Sequence, residues 1–166
     1  MHAAIRALIS VVAATLLTFS VANASDLSAT LAKAKEGDIG AMHNVGVAYA
    51  NGEVVEQDYG RAMQWFEMAA KKGQHNSMYS LAVMHKLGQG VPVDLVKAYA
   101  WHSLAAEFIP KDADEWFIPR AKVAMYLRRP GEVARQLSDT ELRQAEELRK
   151  ELRKRIGDPR QVETGR

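Results

Sequence analysis

The chain has 166 residues, a formal net charge of +2 and a charged fraction of 25%, values that suit a single soluble globular domain. It contains no cysteine, which excludes disulfides, a lipid-modified cysteine and thiolate chemistry with metals or redox partners. From Arg120 onward, basic residues exceed acidic ones by about five. Glutamates are interleaved among these basic residues, which favours a solvated helix joined by salt bridges over a nucleic-acid surface.

The first 24 residues have the features of a secretory signal peptide. Arg6 and the free amine give a weakly positive start, an apolar run follows, and Ala22-Asn23-Ala24 is a small-x-small cleavage site before Ser25. The apolar run of roughly 15 residues is shorter than the ~20 residues of a membrane span. We therefore expect cleavage between Ala24 and Ser25, no stable membrane insertion afterwards, and a periplasmic or secreted protein. The alternative is an uncleaved anchor.

A short amphipathic helix is predicted for residues 25–36, where Leu27, Leu31 and Ala34 share one face. Ala34 lies 36 residues before Ala70, so this helix matches the second half of a truncated repeat. We interpret it as an N-terminal cap, because a stack of repeats exposes an apolar face at each end.

The next part of the chain, residues 37–108, consists of two copies of one sequence repeat, offset by 36 residues. Equivalent positions carry the same or a similar residue, as in the pairs Met42/Met78, Val45/Leu81, Gly52/Gly88, Asp58/Asp94, Ala62/Ala98 and Trp65/Trp101. A fixed period of this size is typical of solenoids, in which each helix pair buries one face against the next. We therefore predict two helix pairs, over residues 37–72 and 73–108.

Each copy predicts two helices joined by a glycine-containing turn. In the first copy, four residues at i, i+3, i+4 and i+7 form one helical face: Met42, Val45, Gly46 and Tyr49. Gly52 suits the left-handed position after a helix end, and Asp58 can accept hydrogen bonds from the first N–H groups of the second helix. That helix has an apolar stripe at Ala62, Trp65, Phe66, Ala69 and Ala70.

The pattern Ala-Met-x-x-Val-Gly-x-x-Tyr-x-x-Gly-x-x-Val-x-x-Asp-x-x-x-Ala-x-x-Trp-Phe-x-x-Ala-Ala-x-x-Gly at residues 41–73 resembles the Sel1-like repeat, a relative of the tetratricopeptide repeat. The second copy departs from it at His85 and His102, where the pattern has aromatic residues, and we expect both to be half-buried and hydrogen-bonded. The resemblance implies an all-α fold, a short right-handed α/α superhelix of two full repeats with a capping helical segment at each end. It also implies that the protein is a non-catalytic adaptor or scaffold of the bacterial envelope that binds other proteins.

Residues 109–118 break the period and predict an insertion loop. Pro110 cannot continue a helix. Trp116 and Phe117 are bulky for a loop, so they either fold back on the last repeat or form an exposed second contact for a partner.

Residues 119–157 predict two further helices that cap the C-terminal end and complete a core that two repeats alone would leave small. Pro130-Gly131 is expected to end the first of them. Its helical pattern is expected at Ala121, Ala124, Met125 and Arg128. In the second helix, Ser138 and Glu141 predict a capping box. One stripe follows at Leu142, Ala145, Leu148 (or Glu146), Leu152 and Ile156. Residues 158–166 predict a flexible tail.

Motifs of enzymes are absent from the sequence: it has no glycine-rich phosphate loop, no His-Glu-x-x-His and no Gly-x-Ser-x-Gly. Imidazoles and thioethers could together form a copper site, and the candidate residues are His43, His75, His85, His102, Met42, Met63, Met68, Met78 and Met84. No two of these histidines are spaced i, i+4, and three of the methionines lie on core stripes. We therefore expect no metal, no cofactor and no catalytic residue.

In tetratricopeptide-like stacks the first helices line a concave groove, and the resemblance implies that a partner binds there. The candidate groove residues do not face the core; they are His43, Val47 and Asn51 in the first copy and Tyr79, Val83 and Lys86 in the second. We predict that the groove binds a peptide or helix of an envelope protein, and export argues against a nucleic-acid partner. The alternative is that these residues simply face solvent.

Two other classes of function stay open at this point. One is a periplasmic binder of peptidoglycan, polysaccharide or a metal ion, which a groove richer in aromatic and carboxylate side chains would favour. The other is an envelope enzyme, which would need a nucleophile–base or acid–base pair that the sequence does not show.

Overall fold

The computed structural model describes residues 26–109 and 120–156, and every regular element within these segments is a helix. The helices are α1 (residues 26–35), α2 (Ile39–Asn51), α3 (Tyr59–Lys71), α4 (His75–Leu87), α5 (Leu95–Glu107), α6 (Arg120–Ala134) and α7 (Asp139–Arg155). Helix α2 packs on α3, α3 on α4, and α4 on α5, while α6 and α7 both pack on α5. The predicted all-α solenoid is confirmed. The predicted signal peptide, Trp116, Phe117 and the predicted tail lie outside the described residues.

The second helices of the two repeats begin in the same way. Asp58 and Asp94 both have backbone angles of φ −143° and ψ 96°, an extended conformation just outside the helix. Each carboxylate accepts a hydrogen bond from the backbone N–H three residues later, at 2.8 Å and 2.9 Å. A carboxylate here satisfies a free N–H group and is favoured by the positive end of the helix dipole. One residue therefore sets each helix start.

The glycine turns between paired helices also repeat. Gly52 and Gly88 both have a φ of 71°, a left-handed conformation that glycine adopts without steric cost. The backbone N–H of Asp58 then donates to the carbonyl of Tyr49, and that of Asp94 to the carbonyl of His85, both at 2.9 Å. The 36-residue repeat of the sequence is therefore also a repeat of backbone geometry.

Small residues set the spacing between the paired helices. Gly46 lies so close to Phe66 that a Cβ atom at Gly46 would be 2.6 Å from the ring. Protein interiors pack at nearly crystalline density, so a larger residue here would force α2 and α3 apart. Six alanines of the second helices are completely buried, namely Ala62, Ala69, Ala70, Ala98, Ala100 and Ala105.

Helix α6 does not end where the sequence predicted. It continues through Pro130 to Ala134. Proline has no N–H to donate to the carbonyl of Tyr126 and normally interrupts a helix. Here Val133 is completely buried beyond the proline, and Glu132 pairs with two arginines that precede it, both at 2.9 Å. These contacts offset the lost hydrogen bond and hold the last turn in place.

The buried face of α6 does not include the residues on which its helical pattern was predicted. Tyr126, only 2% exposed, and Val133 are the buried residues, whereas Ala121 and Ala124 are exposed and Met125 is half-buried. Tyr126 joins the same core cluster as the repeats, as does Ile156 at the end of α7. The C-terminal helices therefore complete the core, as expected, but through a different face of α6.

Helix α7 is held by its cap and by ion pairs to α5. The predicted capping box is confirmed, because the Ser138 hydroxyl accepts from the Glu141 backbone and the Glu141 carboxylate accepts from the Ser138 backbone. Glu107 at the end of α5 pairs with Arg149 at 3.0 Å and with Arg153 at 2.7 Å. The cap fixes where α7 begins, and the ion pairs join α7 to the end of α5.

Candidate partner-binding surface

The first helices of the repeats carry equivalent aromatic contacts with the second helices. The His43 ring lies 5.5 Å from the Phe66 ring, and the Tyr79 ring lies 5.1 Å from the His102 ring. Both members of the second pair stand 36 residues after those of the first, so the two contacts are equivalent. They differ only in that the histidine lies on the first helix of the first repeat and on the second helix of the second repeat. The predicted groove residues His43 and Tyr79 are therefore partly engaged with their own repeat.

Polar bonds connect the first helices to one another. His43 Nδ1 and Ser77 Oγ are 2.9 Å apart and share a hydrogen bond between α2 and α4. The Tyr126 hydroxyl donates to Asn76 Oδ1 at 2.7 Å, which links α6 to α4. Helix α6 thus continues the row of first helices. We define the first-helix surface by side chains of α2, α4 and α6 along this row: His43, Val47, Asn51, His75, Asn76, Tyr79, Val83, Lys86 and Lys122.

The structure places the predicted groove residues differently along this surface. Tyr79 packs against Tyr126 with ring centroids 4.8 Å apart, and its hydroxyl donates to Met125 Sδ at 3.6 Å. Val47 packs against the core cluster as a partly buried residue. The remaining predicted residues lie at or near the surface: Val83 and Lys86 are half-buried, and Asn51 is exposed. Tyr79 therefore supports α6 as well as facing the surface.

Three residues of this surface were not among the groove residues predicted from the sequence: His75, which was considered only as a metal ligand, Asn76 and Lys122. His75 lies one turn before Tyr79 on α4, and Lys122 lies one turn before Tyr126 on α6. The His75 ring is 5.7 Å from the Tyr126 ring. The i, i+4 spacings were visible in the sequence, but the proximity of α6 to α4 was not.

Both surface histidines are held in the neutral form. Burial lowers the pKa of His43, and the positive charge of Lys122 lowers it further. Burial also lowers the pKa of His75 from 6.5 to about 4, with smaller contributions from Lys122 and His43. Desolvation and a nearby cation both disfavour the imidazolium, so these rings are uncharged at neutral pH.

The two histidines that replace aromatic residues of the repeat pattern are more deeply buried than expected. His85 is 8% exposed and His102 is 2% exposed, and neither Nδ1 atom has a hydrogen-bond partner among the described residues. Burial lowers the pKa of both, that of His102 to about 4. The expectation of half-buried, hydrogen-bonded rings was wrong because the aromatic role of these positions dominates: the rings fill core space.

The part of the chain that the structure describes contains neither a cluster of metal ligands nor a helix that could span a membrane. In residues 26–109 and 120–156, no three histidine, aspartate or glutamate side chains come together in a way that could hold a metal ion. None of the helices in these segments has both the length and the apolar character that crossing a membrane requires.

Comparison with known proteins agrees with the repeat geometry. The Sel1 repeat family model matches residues 39–74 and 75–107. The fold is similar to that of a protective antigen present in uropathogenic Escherichia coli strains, whose crystal structure displays an SLR fold. The sequences are 24% identical, the TM-score is 0.67, and the match covers 78% of this chain and 25% of the antigen. The chain therefore spans a quarter of that protein's length.

A Sel1 repeat protein from Oxalobacter formigenes is 23% identical to the chain, with a TM-score of 0.47 over 74% of this chain and 98% of the other. No curated protein matches the sequence. Sel1 repeats generally serve as protein-interaction modules and are typically non-catalytic. The matched segments, the repeated caps and turns and the helix packing lead to one conclusion: the chain contains two Sel1 repeats, at residues 39–74 and 75–107.

Proposed function

We propose that this protein is a non-catalytic adaptor that binds a peptide or helix of a partner protein along the first-helix surface. One observation carries the proposal: α2, α4 and α6 form a continuous row, joined by the bonds from His43 to Ser77 and from Tyr126 to Asn76. A row of helices fixed in this way presents a preformed surface, which lowers the entropy cost of binding an extended segment.

The end of the surface near Lys86 is the best place to test this proposal. Lys86 and Val83 are half-buried on α4, so changing the lysine alters the surface without opening the core. Tyr79 is less suitable, because its removal would also withdraw support from Tyr126. Lys71 at the end of α3 is exposed. It provides a control in which the same charge reversal is made on the second helix of a repeat, away from the first-helix surface.

The experiment is affinity capture from an envelope extract with the wild-type protein, Lys86→Glu and Lys71→Glu, followed by identification of the captured proteins and repetition with the purified partner. We expect one partner that binds wild type and Lys71→Glu but is lost with Lys86→Glu, while all three proteins keep the same thermal transition. If no purified partner binds, the adaptor role is refuted. If both variants bind equally, the partner uses another face.

We further propose that the protein acts in the periplasm or outside the cell. The support is the sequence of residues 1–24, with its apolar run and the cleavage motif before Ser25. Intact mass measurement of the protein from a periplasmic fraction should give a chain that begins at Ser25. A full-length chain in the cytoplasmic fraction would contradict export.

A further inference from the structure

Helix α6 rests on a cluster of aromatic and imidazole rings from α4 and α5. On α4, the ring of His75 lies 5.7 Å and that of Tyr79 lies 4.8 Å from the ring of Tyr126 on α6. His102 of α5 packs against Tyr79, with ring centroids 5.1 Å apart, and is 2% exposed. We call these four residues the α6 contact cluster. Two of its members, His75 and His102, can take up a proton.

The charges that α6 places beside these two rings are mainly positive. Lys122 lowers the pKa of His75, and Arg129 lowers that of His102. Glu132, the acidic residue of α6, opposes the effect on His102 but is already paired with two arginines of its own helix. The Nδ1 atom of His102 has no hydrogen-bond partner among the described residues. A proton on either ring would therefore lie beside a cation of α6 with little compensation.

The other elements around His75 do not supply this compensation. His43 of α2 lowers the pKa of His75 further, and neither α2 nor α4 contains an aspartate or a glutamate. On α3, Lys71 precedes His75 by four positions. The carboxylate of α3, Glu67, follows Phe66, whose ring contacts His43 in the first repeat.

The surroundings of His102 are similar. Lys86 of α4 lowers its pKa in the same direction as the arginine of α6. Helix α7, which packs on α5, carries Glu146 against it, but this carboxylate is paired with Arg149. Glu107 of α5 is paired with arginines of α7. The carboxylates of α5 and α7 are thus already used in ion pairs that hold these two helices together.

We propose that α6 is an acid-released helix: protonation of His75 and His102 detaches it from α4 and α5, while the repeats and α7 keep their fold. Release takes the cations of α6 away from both rings and gives the imidazolium access to water. Helix α7 stays in place because Glu107 binds it to α5 independently of α6. The inference concerns the docking of α6 alone and does not require the adaptor function.

The size of the effect follows from the difference between the docked and the released state. While α6 is docked, His75 and His102 each have a pKa of about 4, against 6.5 for a free imidazole. The released state therefore binds protons first, and docking weakens as the pH falls from 6.5 to about 4. Between pH 7 and pH 5, each histidine favours release by about 20-fold, and the two together by about 400-fold.

Hydrogen exchange of the full chain, read by mass spectrometry at pH 7 and pH 5 and corrected for the intrinsic rate at each pH, measures the opening of each helix. The variants are His75→Gln, His102→Phe and the double variant, which take up no proton at these positions. The control is His85→Tyr. His85 is also buried, but its pKa is lowered by burial and by Lys97 of its own repeat, and the first repeat has Tyr49 at the equivalent position.

We expect the protection of α6 in wild type to fall by about 400-fold relative to that of α3 between pH 7 and pH 5. The loss should be about 20-fold in either single variant and absent in the double variant, whereas His85→Tyr should behave as wild type. Equal losses in α3, α6 and α7 would mean that acid unfolds the whole chain, and would overturn the proposal. An unchanged α6 in wild type, or a double variant that loses as much as wild type, would also overturn it. If one single variant does not fold at pH 7, the other carries the test through its 20-fold smaller loss.

Discussion

Replacing His102 with phenylalanine tests whether a buried imidazole makes this protein sensitive to acid. The side chain is 2% exposed, its Nδ1 atom has no hydrogen-bond partner among the described residues, and Tyr79 packs against its ring. Burial lowers its pKa from 6.5 to about 4, and the charges of Arg129 and Lys86 contribute in the same direction. Protonation is therefore harder in the folded chain than in the unfolded chain.

The sign and size of the effect follow from this difference. Because the folded pKa is the lower one, the unfolded chain binds the proton first as the pH falls. Stabilisation by neutral His102 is complete above pH 6.5 and is lost as the pH falls from 6.5 to about 4. The loss amounts to about 2 kcal/mol at pH 5 and about 3 kcal/mol at pH 4. Phenylalanine accepts no proton and is a residue type that the repeat pattern has at this position.

The assay is urea unfolding of wild type and His102→Phe over the range from pH 8 to pH 4. Other histidines and carboxylates titrate in both proteins, so the difference between the two free energies of unfolding isolates position 102. We expect this difference to move in favour of the variant by about 2 kcal/mol between pH 7 and pH 5. A difference that is constant over this range would refute the reasoning, because His102 would then titrate alike in both states.

Three further substitutions test the packing. Gly46→Ala should lower the free energy of unfolding by about 1–3 kcal/mol because its methyl group would overlap Phe66. The control is Gly40→Ala on the same helix, where a methyl group has room. Equal denaturant midpoints for the two variants would argue against close packing at Gly46. Ser138→Ala should cost about 1 kcal/mol in thermal unfolding because α7 loses its N-cap, and an unchanged melting temperature would contradict this. Glu107→Gln should cost about 1 kcal/mol at low salt and much less at high salt, since two exposed ion pairs to α7 are lost. A loss that salt does not change would count against those pairs.

The repeats could be predicted from the sequence because their boundaries depend on local signals. Asp58 caps a helix through the N–H of a residue three positions away, and Gly52 ends one through its own backbone angles. The same applies to the Ser138 capping box. Such signals act within one turn of the chain, so no knowledge of the tertiary structure was needed.

The course of α6 and the details of the surface could not be predicted in this way. Pro130 was interpreted by the local rule that proline ends a helix, whereas the burial of Val133 and the ion pairs of Glu132 depend on where α6 packs. Tyr79 is half-buried, and its contact with Tyr126 depends on α6 lying beside α4. For the same reason the sequence did not associate Lys122 with the histidines of α2 and α4.

The bond between His43 and Ser77 has a consequence for the order of the repeats. Ser77 joins the second repeat to the first, and the residue that stands 36 positions before it is Ala41. If the first repeat were duplicated in tandem, a methyl group would meet the imidazole at the new junction, and the hydrogen bond could not form. Although the two units share caps and turns, they are not exchangeable. The hydrogen bond at the junction forms only when the second repeat follows the first. A chain in which the repeats are exchanged, or in which the first repeat is duplicated, would lack this bond at the new junction.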